Sequence, residues 1–184
     1  MNEDLIKTLG FIIFASGLLY YANKLRNQTP GKKDKDSPKN NLPPLPSLNL
    51  FTYVTKPKPF SSSIPTVLIA FGTNCPPCKA EVPHLANLAR TKNINVVSIA
   101  QEPKSNIEAF VADHPETKHY AVGSDEFGKM KYLLDYYKIQ GVPHAFIFDK
   151  DGVIIWNGHP RSMDGIITKT CSQKSEFSGK ARKL

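Results

Sequence analysis

Thr66-Val67-Leu68-Ile69-Ala70-Phe71 and Cys75-Pro76-Pro77-Cys78 together decide the fold of this chain. The first stretch is almost wholly apolar, which is typical of a short strand buried on both faces. The second begins a segment whose apolar residues have helical spacing, so its two cysteines lie at a strand-to-helix junction. A C-x-x-C dithiol at such a junction indicates redox chemistry first and half of a zinc site second. A zinc site would need two further ligands at matching spacing, and His84 and Cys171 do not provide them.

Outward from this junction, segments with strand and helix patterns alternate along the chain. The predicted strands are 66–71, 95–100, 120–122, 145–148 and 153–156, and the predicted helices are 76–90, 105–113, 125–137 and 162–171. Ser105 to Glu108 has the form of a capping box, and Asp149-Lys150-Asp151-Gly152 is a turn signal between two strands. This order predicts an α/β, thioredoxin-like fold with a central mixed sheet and helices on both faces.

Residues 5–22 predict a single-pass membrane anchor. They are apolar apart from Lys7, Thr8 and Ser16, and they just reach the length that a membrane helix needs. A cleaved signal peptide is the alternative, but it would need a basic start, and Asn2-Glu3-Asp4 is acidic. The basic residues that follow the span favour a cytoplasmic side for the rest of the chain, whereas the family resemblance described below implies an extracytoplasmic one.

Composition divides the remainder of the chain into three parts. Residues 23–58 are rich in Lys, Pro and Asn and predict a linker, because such a segment cannot bury enough apolar surface to fold. Within it, 45–51 is a candidate for a peripheral strand at the start of the domain. Residues 59–172 are expected to form the thioredoxin-like domain, and 173–184 a basic tail.

The net charge of +8 does not indicate a nucleic-acid partner. Residues 60–170 hold 11 Lys or Arg and 11 Asp or Glu, so the predicted domain is neutral. The basic excess lies in its flanks, because residues 24–58 hold eight basic and two acidic residues. Basic flanks beside a membrane segment can contact anionic lipid. We therefore expect a membrane contact, no nucleic acid and a monomeric domain.

The position of the dithiol suggests a role for each sulfur. Cys75 falls at or just before the N-terminus of the predicted helix, where unpaired N–H groups and the helix dipole favour a thiolate. Cys75 is therefore the predicted nucleophile toward a substrate disulfide, and Cys78, about one turn further, is placed to resolve the mixed disulfide. Pro76 and Pro77 suit a first helical turn, whose N–H groups have no intrahelical partners.

Two separated motifs resemble those of one known family. They are Phe71-Gly72-Thr73-Asn74-Cys75-Pro76-Pro77-Cys78-Lys79-Ala80-Glu81-Val82-Pro83, and Gly141-Val142-Pro143 running into Phe146-Ile147-Phe148-Asp149-Lys150-Asp151-Gly152. Both are similar to segments of the TlpA-type, membrane-anchored, thioredoxin-like thiol–disulfide oxidoreductases, over roughly residues 64–170. The resemblance implies that Pro143 is cis and faces the dithiol, and that the backbone of Val142 pairs with substrate. Asn74, Pro76 and Pro77 border the dithiol and complete the predicted substrate-binding set.

Glu81 is the third predicted catalytic residue. It matches a family position and lies three residues beyond Cys78, on a neighbouring part of the same helix face. A carboxyl near a buried thiol can take up the proton of Cys78 as that sulfur becomes nucleophilic, with its own pKa raised by desolvation. A surface glutamate is the alternative. Pro83 is expected to kink the helix.

Two residues depart from the family pattern. Asn74 stands where the family usually has tryptophan, which removes an aromatic surface beside the nucleophile. His144 follows the expected cis-proline, where a small hydroxyl residue is common. As a cation, His144 would lower the pKa of Cys75 and make the protein more oxidising. A histidine packed at the start of a strand is the alternative.

The leading hypothesis is a membrane-tethered thiol–disulfide oxidoreductase that exchanges disulfides with protein cysteines through Cys75 and Cys78, with no bound cofactor or metal. One rival is a metal carrier that presents Cys75, Cys78 and His144 to Cu(I). A redox-inactive docking adaptor is another. A peroxidase is a weaker alternative, because its T-x-x-C spacing is not met by Thr73. Cys171 is expected to be a free thiol, with a regulatory disulfide as the alternative.

Overall fold

The computed structural model describes residues 42–172 of the chain. The predicted anchor 5–22, most of the predicted linker and the predicted tail 173–184 lie outside these residues. Within 42–172, no helix is long and apolar enough to cross a membrane.

A mixed sheet forms the centre of this part of the chain. Its strands are β1 (Thr52–Thr55), β2 (Thr66–Phe71), β3 (Asn95–Ala100), β4 (Ala121–Ser124), β5 (His144–Phe148) and β6 (Ile154–Gly158). The helices are α1 (Pro76–Ala80), α2 (Val82–Thr91), α3 (Lys104–Asp113), α4 (Lys129–Tyr136) and α5 (Asp164–Ser172). Short 3-10 turns occupy Leu48–Leu50, Pro115–His119 and Pro160–Ser162.

The strands lie in the order β1-β4-β3-β2-β5-β6. The three central strands β4, β3 and β2 are parallel, and β1, β5 and β6 each run antiparallel to a neighbour. Every residue of β2 and β3 is buried, as the apolar runs in the sequence predicted. The predicted thioredoxin-like α/β fold is thereby confirmed.

Alternate residues of β2 enter two different cores, because successive side chains of a strand point to opposite faces. Val67 and Ile69 pack with apolar residues of α2, α3 and α5, while Leu68 and Ala70 pack with α4. Phe146 and Phe148 of β5 complete the second core. Helices therefore cover both faces of the sheet, and the first core supports the helix that carries the dithiol.

The predicted start of the domain at residue 59 is wrong. β1 (Thr52–Thr55) pairs with β4, and the Thr55 hydroxyl donates a hydrogen bond to the Tyr120 carbonyl at 3.0 Å. The predicted peripheral strand at 45–51 is also wrong, because Leu48–Leu50 forms a 3-10 turn. The folded unit thus includes residues whose composition resembles that of the linker, because their backbone N–H and C=O groups form hydrogen bonds with β4.

Three predicted helix starts also differ from the structure. α3 begins at Lys104, directly after Pro103, and has no side-chain cap, so the predicted capping box from Ser105 is wrong. α4 begins at Lys129 instead of Asp125. The Asp125 carboxylate lies before the helix and accepts hydrogen bonds from two backbone N–H groups in the first turn of α4. α5 begins at Asp164, because the 3-10 turn precedes it.

Replacement of Phe146 by alanine tests the second core. Phe146 is fully buried at the centre of β5, so Phe146→Ala leaves a cavity that is expected to lower the free energy of unfolding by about 3–5 kcal/mol. Phe127, which is 64% exposed, is the matched control, and Phe127→Ala should change the free energy of unfolding by less than about 0.5 kcal/mol. Urea denaturation followed by circular dichroism measures both. Equal effects of the two variants would contradict the described core.

Candidate active site

The two cysteines lie where the chain leaves β2 and enters α1. Cys75 is the N-cap residue of α1 and is joined to Cys78 by a disulfide bond. The backbone N–H of Cys78 donates to Cys75 Sγ at 3.2 Å. Cys75 is half-buried, whereas Cys78 is buried. The sulfur predicted to attack is therefore the accessible one, and the sulfur predicted to resolve is shielded.

A cis peptide bond lies beside the accessible sulfur. The Val142–Pro143 bond is cis, as the family resemblance implied, and it immediately precedes β5. The carbonyl oxygen of Val142 is 3.5 Å from Cys75 Sγ. Pro143 is buried, while Val142 is 37% exposed. The structure thus brings an accessible stretch of backbone to the nucleophile that the sequence predicted.

The other predicted substrate-binding residues surround Cys75 at the surface. Asn74, Pro76 and Pro77 are all exposed, so nothing in the described part of the chain covers them. An open cleft of about 250 Å³ adjoins Asn74. It is lined by Thr73, Asn74, Lys79, Asn106, Ala109, Phe110, Asp113 and His114. The residues from α3 were not predicted, because only the tertiary fold brings that helix to the dithiol.

Glu102 holds the loop that precedes Cys75. Its two carboxylate oxygens accept hydrogen bonds from the backbone N–H of Thr73 at 2.8 Å and from the Thr73 hydroxyl at 2.5 Å. Burial by itself would raise the pKa of Glu102, but the hydrogen bonds from Thr73 and Asn106 outweigh it and lower that pKa. Glu102 was not among the predicted site residues, since it lies 29 residues from Thr73 and only the fold brings the two together.

Glu81 is buried at the break between α1 and α2. Its side chain is 2% exposed, so the alternative of a surface glutamate is wrong. One carboxylate oxygen accepts a hydrogen bond from Nε of Arg161 at 2.6 Å, and the other lies 3.1 Å from Nδ1 of His84. The expected kink is present, with the helix interrupted at Glu81 and Pro83 in the first turn of α2. Arg161 and His84 were not predicted as partners of Glu81.

His144 packs against side chains of β5 and β6. Its ring lies against Phe146, and Nε2 is 3.1 Å from the side-chain oxygen of Asn157. Burial lowers the pKa of His144, against the opposing effect of that hydrogen bond. The lowered pKa favours a neutral ring, so the packed histidine explains this position better than the predicted cationic modulator.

The ligand set of the metal-carrier hypothesis is not assembled. Among residues 42–172, no group of three His, Cys, Asp or Glu side chains is close enough to hold a metal ion. The predicted set of Cys75, Cys78 and His144 is thus not brought together in this structure, in which the two cysteines form a disulfide. Cys171 is a free thiol, as expected, and burial raises its pKa.

Comparison with known proteins agrees with this geometry. Residues 60–157 match the AhpC/TSA family. The chain belongs to this family. It is 31% identical over 102 residues to the methylamine utilization protein MauD of Methylobacillus flagellatus, and the aligned region covers 55% of this chain and 46% of MauD. It is 28% identical over 91 residues to the thiol:disulfide interchange protein CycY of Rhizobium leguminosarum bv. viciae, and here the aligned region covers 50% of this chain and 47% of CycY. The chain thus matches about half the length of these relatives.

Solved structures share the fold. A thiol-disulfide isomerase from Corynebacterium glutamicum matches with a TM-score of 0.57 and 17% identity, over 72% of this chain and 97% of that one. A thioredoxin-like protein in its oxidized form matches with a TM-score of 0.53 and 17% identity, over 71% and 95% of the two chains. At this identity they show the fold alone, and they agree with the predicted thioredoxin-like fold.

The bond between Thr73 and Glu102 predicts a pH-dependent stability. The pKa of Glu102 is lower in the folded state than its ordinary value of 4.5. Its carboxylate therefore stabilises the fold at a pH above 4.5, and this contribution is lost as the pH falls through the folded-state pKa. Thr73→Val is expected to lower the free energy of unfolding by about 1–3 kcal/mol at neutral pH, and by less in acid. Urea denaturation of the wild type and the variant, at intervals of about one pH unit between about pH 3 and pH 7, measures this difference in the free energy of unfolding.

Thr91→Val is the matched control, because the Thr91 hydroxyl donates to the Asn87 carbonyl and no carboxylate takes part. Its effect should not vary with pH. An equal pH dependence in the two variants would contradict the role of Glu102.

Proposed function

We propose that this chain is a thiol–disulfide oxidoreductase that exchanges disulfides with cysteines of partner proteins through Cys75 and Cys78. The observation that carries this proposal is the accessible Cys75 Sγ, 3.5 Å from the carbonyl oxygen of the cis-bonded Val142. Val142 and the residues beside Cys75 are exposed, so a substrate segment can approach the sulfur from solvent. The similarity to CycY, a thiol:disulfide interchange protein, supports the same activity.

The first turn of α1 is suited to a thiolate at Cys75. Pro76 and Pro77 have no N–H group, so Cys78 supplies the first backbone donor of the helix, and this donor points at Cys75 Sγ. A hydrogen bond to a thiolate stabilises the charged form. In the reduced protein, Cys75 is therefore the sulfur that is expected to ionise and attack.

The exchange proceeds in two steps. The Cys75 thiolate attacks one sulfur of a substrate disulfide, which forms a mixed disulfide and releases the other substrate sulfur as a thiolate. Cys78, whose Cα is 5.2 Å from that of Cys75, then loses its proton and attacks Cys75 Sγ. This step forms the internal disulfide and releases the second substrate thiolate. The reverse sequence oxidises a substrate dithiol.

Electrons pass only between sulfur atoms in this scheme, so it requires no bound cofactor. Glu81 is proposed as the acceptor for the Cys78 proton, because it follows Cys78 by three residues and both side chains are buried. A partner segment is proposed to lie along Val142, with Asn74, Pro76 and Pro77 at the rim of the contact. Residues 5–22 are proposed to tether the domain to a membrane.

Serine substitutions test the roles of the two cysteines. Cys75→Ser is expected to lower the rate of insulin-disulfide reduction by more than about 100-fold, because it removes the nucleophile. Cys78→Ser should leave a mixed disulfide with substrate, visible as a band of higher mass on a non-reducing gel. Cys171→Ser is the matched control and should keep full activity.

Full activity of Cys75→Ser would overturn the proposal. A reduced Cys75 that does not react with alkylating agents would favour the docking adaptor. Consumption of hydrogen peroxide without insulin reduction would favour the peroxidase alternative.

Membrane fractionation tests the proposed tether. The full chain is expected in the membrane pellet after carbonate extraction, because an apolar span of this length partitions into lipid. A chain that begins at residue 23 should remain in the supernatant. Recovery of the full-length chain in the supernatant would contradict the anchor, and a shortened product would indicate a cleaved signal peptide. Protease treatment of sealed vesicles then identifies the side on which the domain lies.

A further inference from the structure

Three titratable side chains form a line from the interior to the surface behind the dithiol. Glu81 Oε2 is 3.1 Å from His84 Nδ1, and His84 Nε2 is 2.8 Å from Asp164 Oδ1. The exposed fractions of these side chains rise along the line, from 2% for Glu81 to 23% for His84 and 61% for Asp164. A buried carboxyl is thus connected to solvent through one imidazole ring.

The number of protons in this line follows from its hydrogen bonds. Both ring nitrogens of His84 face a carboxylate oxygen, and a neutral imidazole has only one N–H. Two hydrogen bonds therefore require two protons shared among Glu81, His84 and Asp164. Either the ring is an imidazolium between two carboxylates, or the ring is neutral and one carboxyl is protonated.

This proton count allows transfer without movement of any heavy atom. When Asp164 gives its proton to Nε2 and the ring gives its Nδ1 proton to Glu81, one proton has moved from the surface to the interior. The reverse shift moves one outward. We propose that His84 and Asp164 form a proton relay through which Glu81 exchanges protons with water.

The role of the relay in catalysis rests on the proposed function, because it concerns the step in which Cys78 attacks the mixed disulfide. When Cys78 attacks the mixed disulfide, its S–H bond breaks, an S–S bond to Cys75 forms, and the substrate leaves as a thiolate. Glu81 takes the proton and the relay passes it to water. In the opposite direction the relay returns a proton to Glu81 and then to the Cys78 thiolate. No electrons enter or leave beyond those of the dithiol and the disulfide.

Arg161 completes the charges that face Glu81. From the turn before α5, its Nε donates to Glu81 Oε1 at 2.6 Å, and Nη2 is 3.5 Å from the Ala80 carbonyl oxygen. In the described part of the chain, the charged or titratable partners of this carboxyl are Arg161 and His84, with Asp164 beyond the ring. The guanidinium carries one positive charge, the two carboxylates carry two negative charges, and the ring with both shared protons carries one positive charge. The net charge of this group is therefore zero, and the burial of Glu81 leaves no uncompensated charge.

The resolving step gives a kinetic test. A mixed disulfide between Cys75 and a small chromogenic thiol is prepared in the full chain, and its breakdown by Cys78 is followed from about pH 5 to pH 9. His84→Gln and Asp164→Asn should each slow this step about tenfold at neutral pH and make its rate depend on buffer concentration. The double variant Glu81→Gln/His84→Gln should be no slower than Glu81→Gln.

Asp135→Asn is the matched control. Asp135 is 64% exposed and, like Asp164, bonded to one neighbouring side chain, but it lies on α4. It should resolve the mixed disulfide at the wild-type rate. Wild-type rates and pH profiles in His84→Gln and Asp164→Asn, or independent effects of the Glu81 and His84 substitutions, would overturn the relay.

A second measurement separates the relay from the proposed function. Nitrogen-15 NMR of the full chain should show the chemical shifts of hydrogen-bonded ring nitrogens at both Nδ1 and Nε2 of His84, and Asp164→Asn should change the Nε2 shift most. This result supports the relay whether or not the protein exchanges thiols. The chemical shift of a ring nitrogen without a hydrogen bond, at either Nδ1 or Nε2 in the wild type, overturns the relay even if thiol exchange is normal. Failure of the wild type to form any mixed disulfide instead overturns the proposed function.

Discussion

The antiparallel pairing of β2 with β5 is the interaction on which the site depends. Ala70 opposes His144 in this ladder, so the cis Val142–Pro143 bond arrives beside the loop that leads from β2 to Cys75. Side chains alternate between the faces of a sheet, so a shift of one residue would move Phe146 out of its core. The burial of both strands thus determines the register, and the register places the cis bond against the accessible sulfur.

A second constraint comes from the charge buried under the dithiol. A carboxylate that is almost fully removed from water destabilises the fold unless cations or hydrogen-bond donors compensate it. Arg161 and His84 do so for Glu81, and Asp164 orients His84 from the first turn of α5. The segment after β6 therefore belongs to the site, although Arg161 lies 80 residues from Glu81 in the chain.

The surface around Cys75 differs in character from this buried network. Asn74 and the cleft beside it are open and polar, while Val142 offers backbone and a small apolar side chain. Cys78 and Glu81, the two residues of the proposed proton transfer, lie in the buried part, where geometry is tightly constrained. Partner choice is expected to reside in the exposed part, because residues there can change without loss of the core.

Local patterns in the sequence were sufficient for the strands 66–71 and 95–100, for the break near Pro83 and for the dithiol at a helix start, because each depends on neighbouring residues. The family resemblance supplied the cis bond at Pro143. The predicted cap at Ser105 failed, because Pro103 already occupies the N-cap position. Tertiary structure alone decided that Glu81 is buried, that His144 is packed, and that Glu102, Arg161 and Asp164 serve the site. Their partners are distant in the chain, and only the sheet order and the two cores bring them into contact.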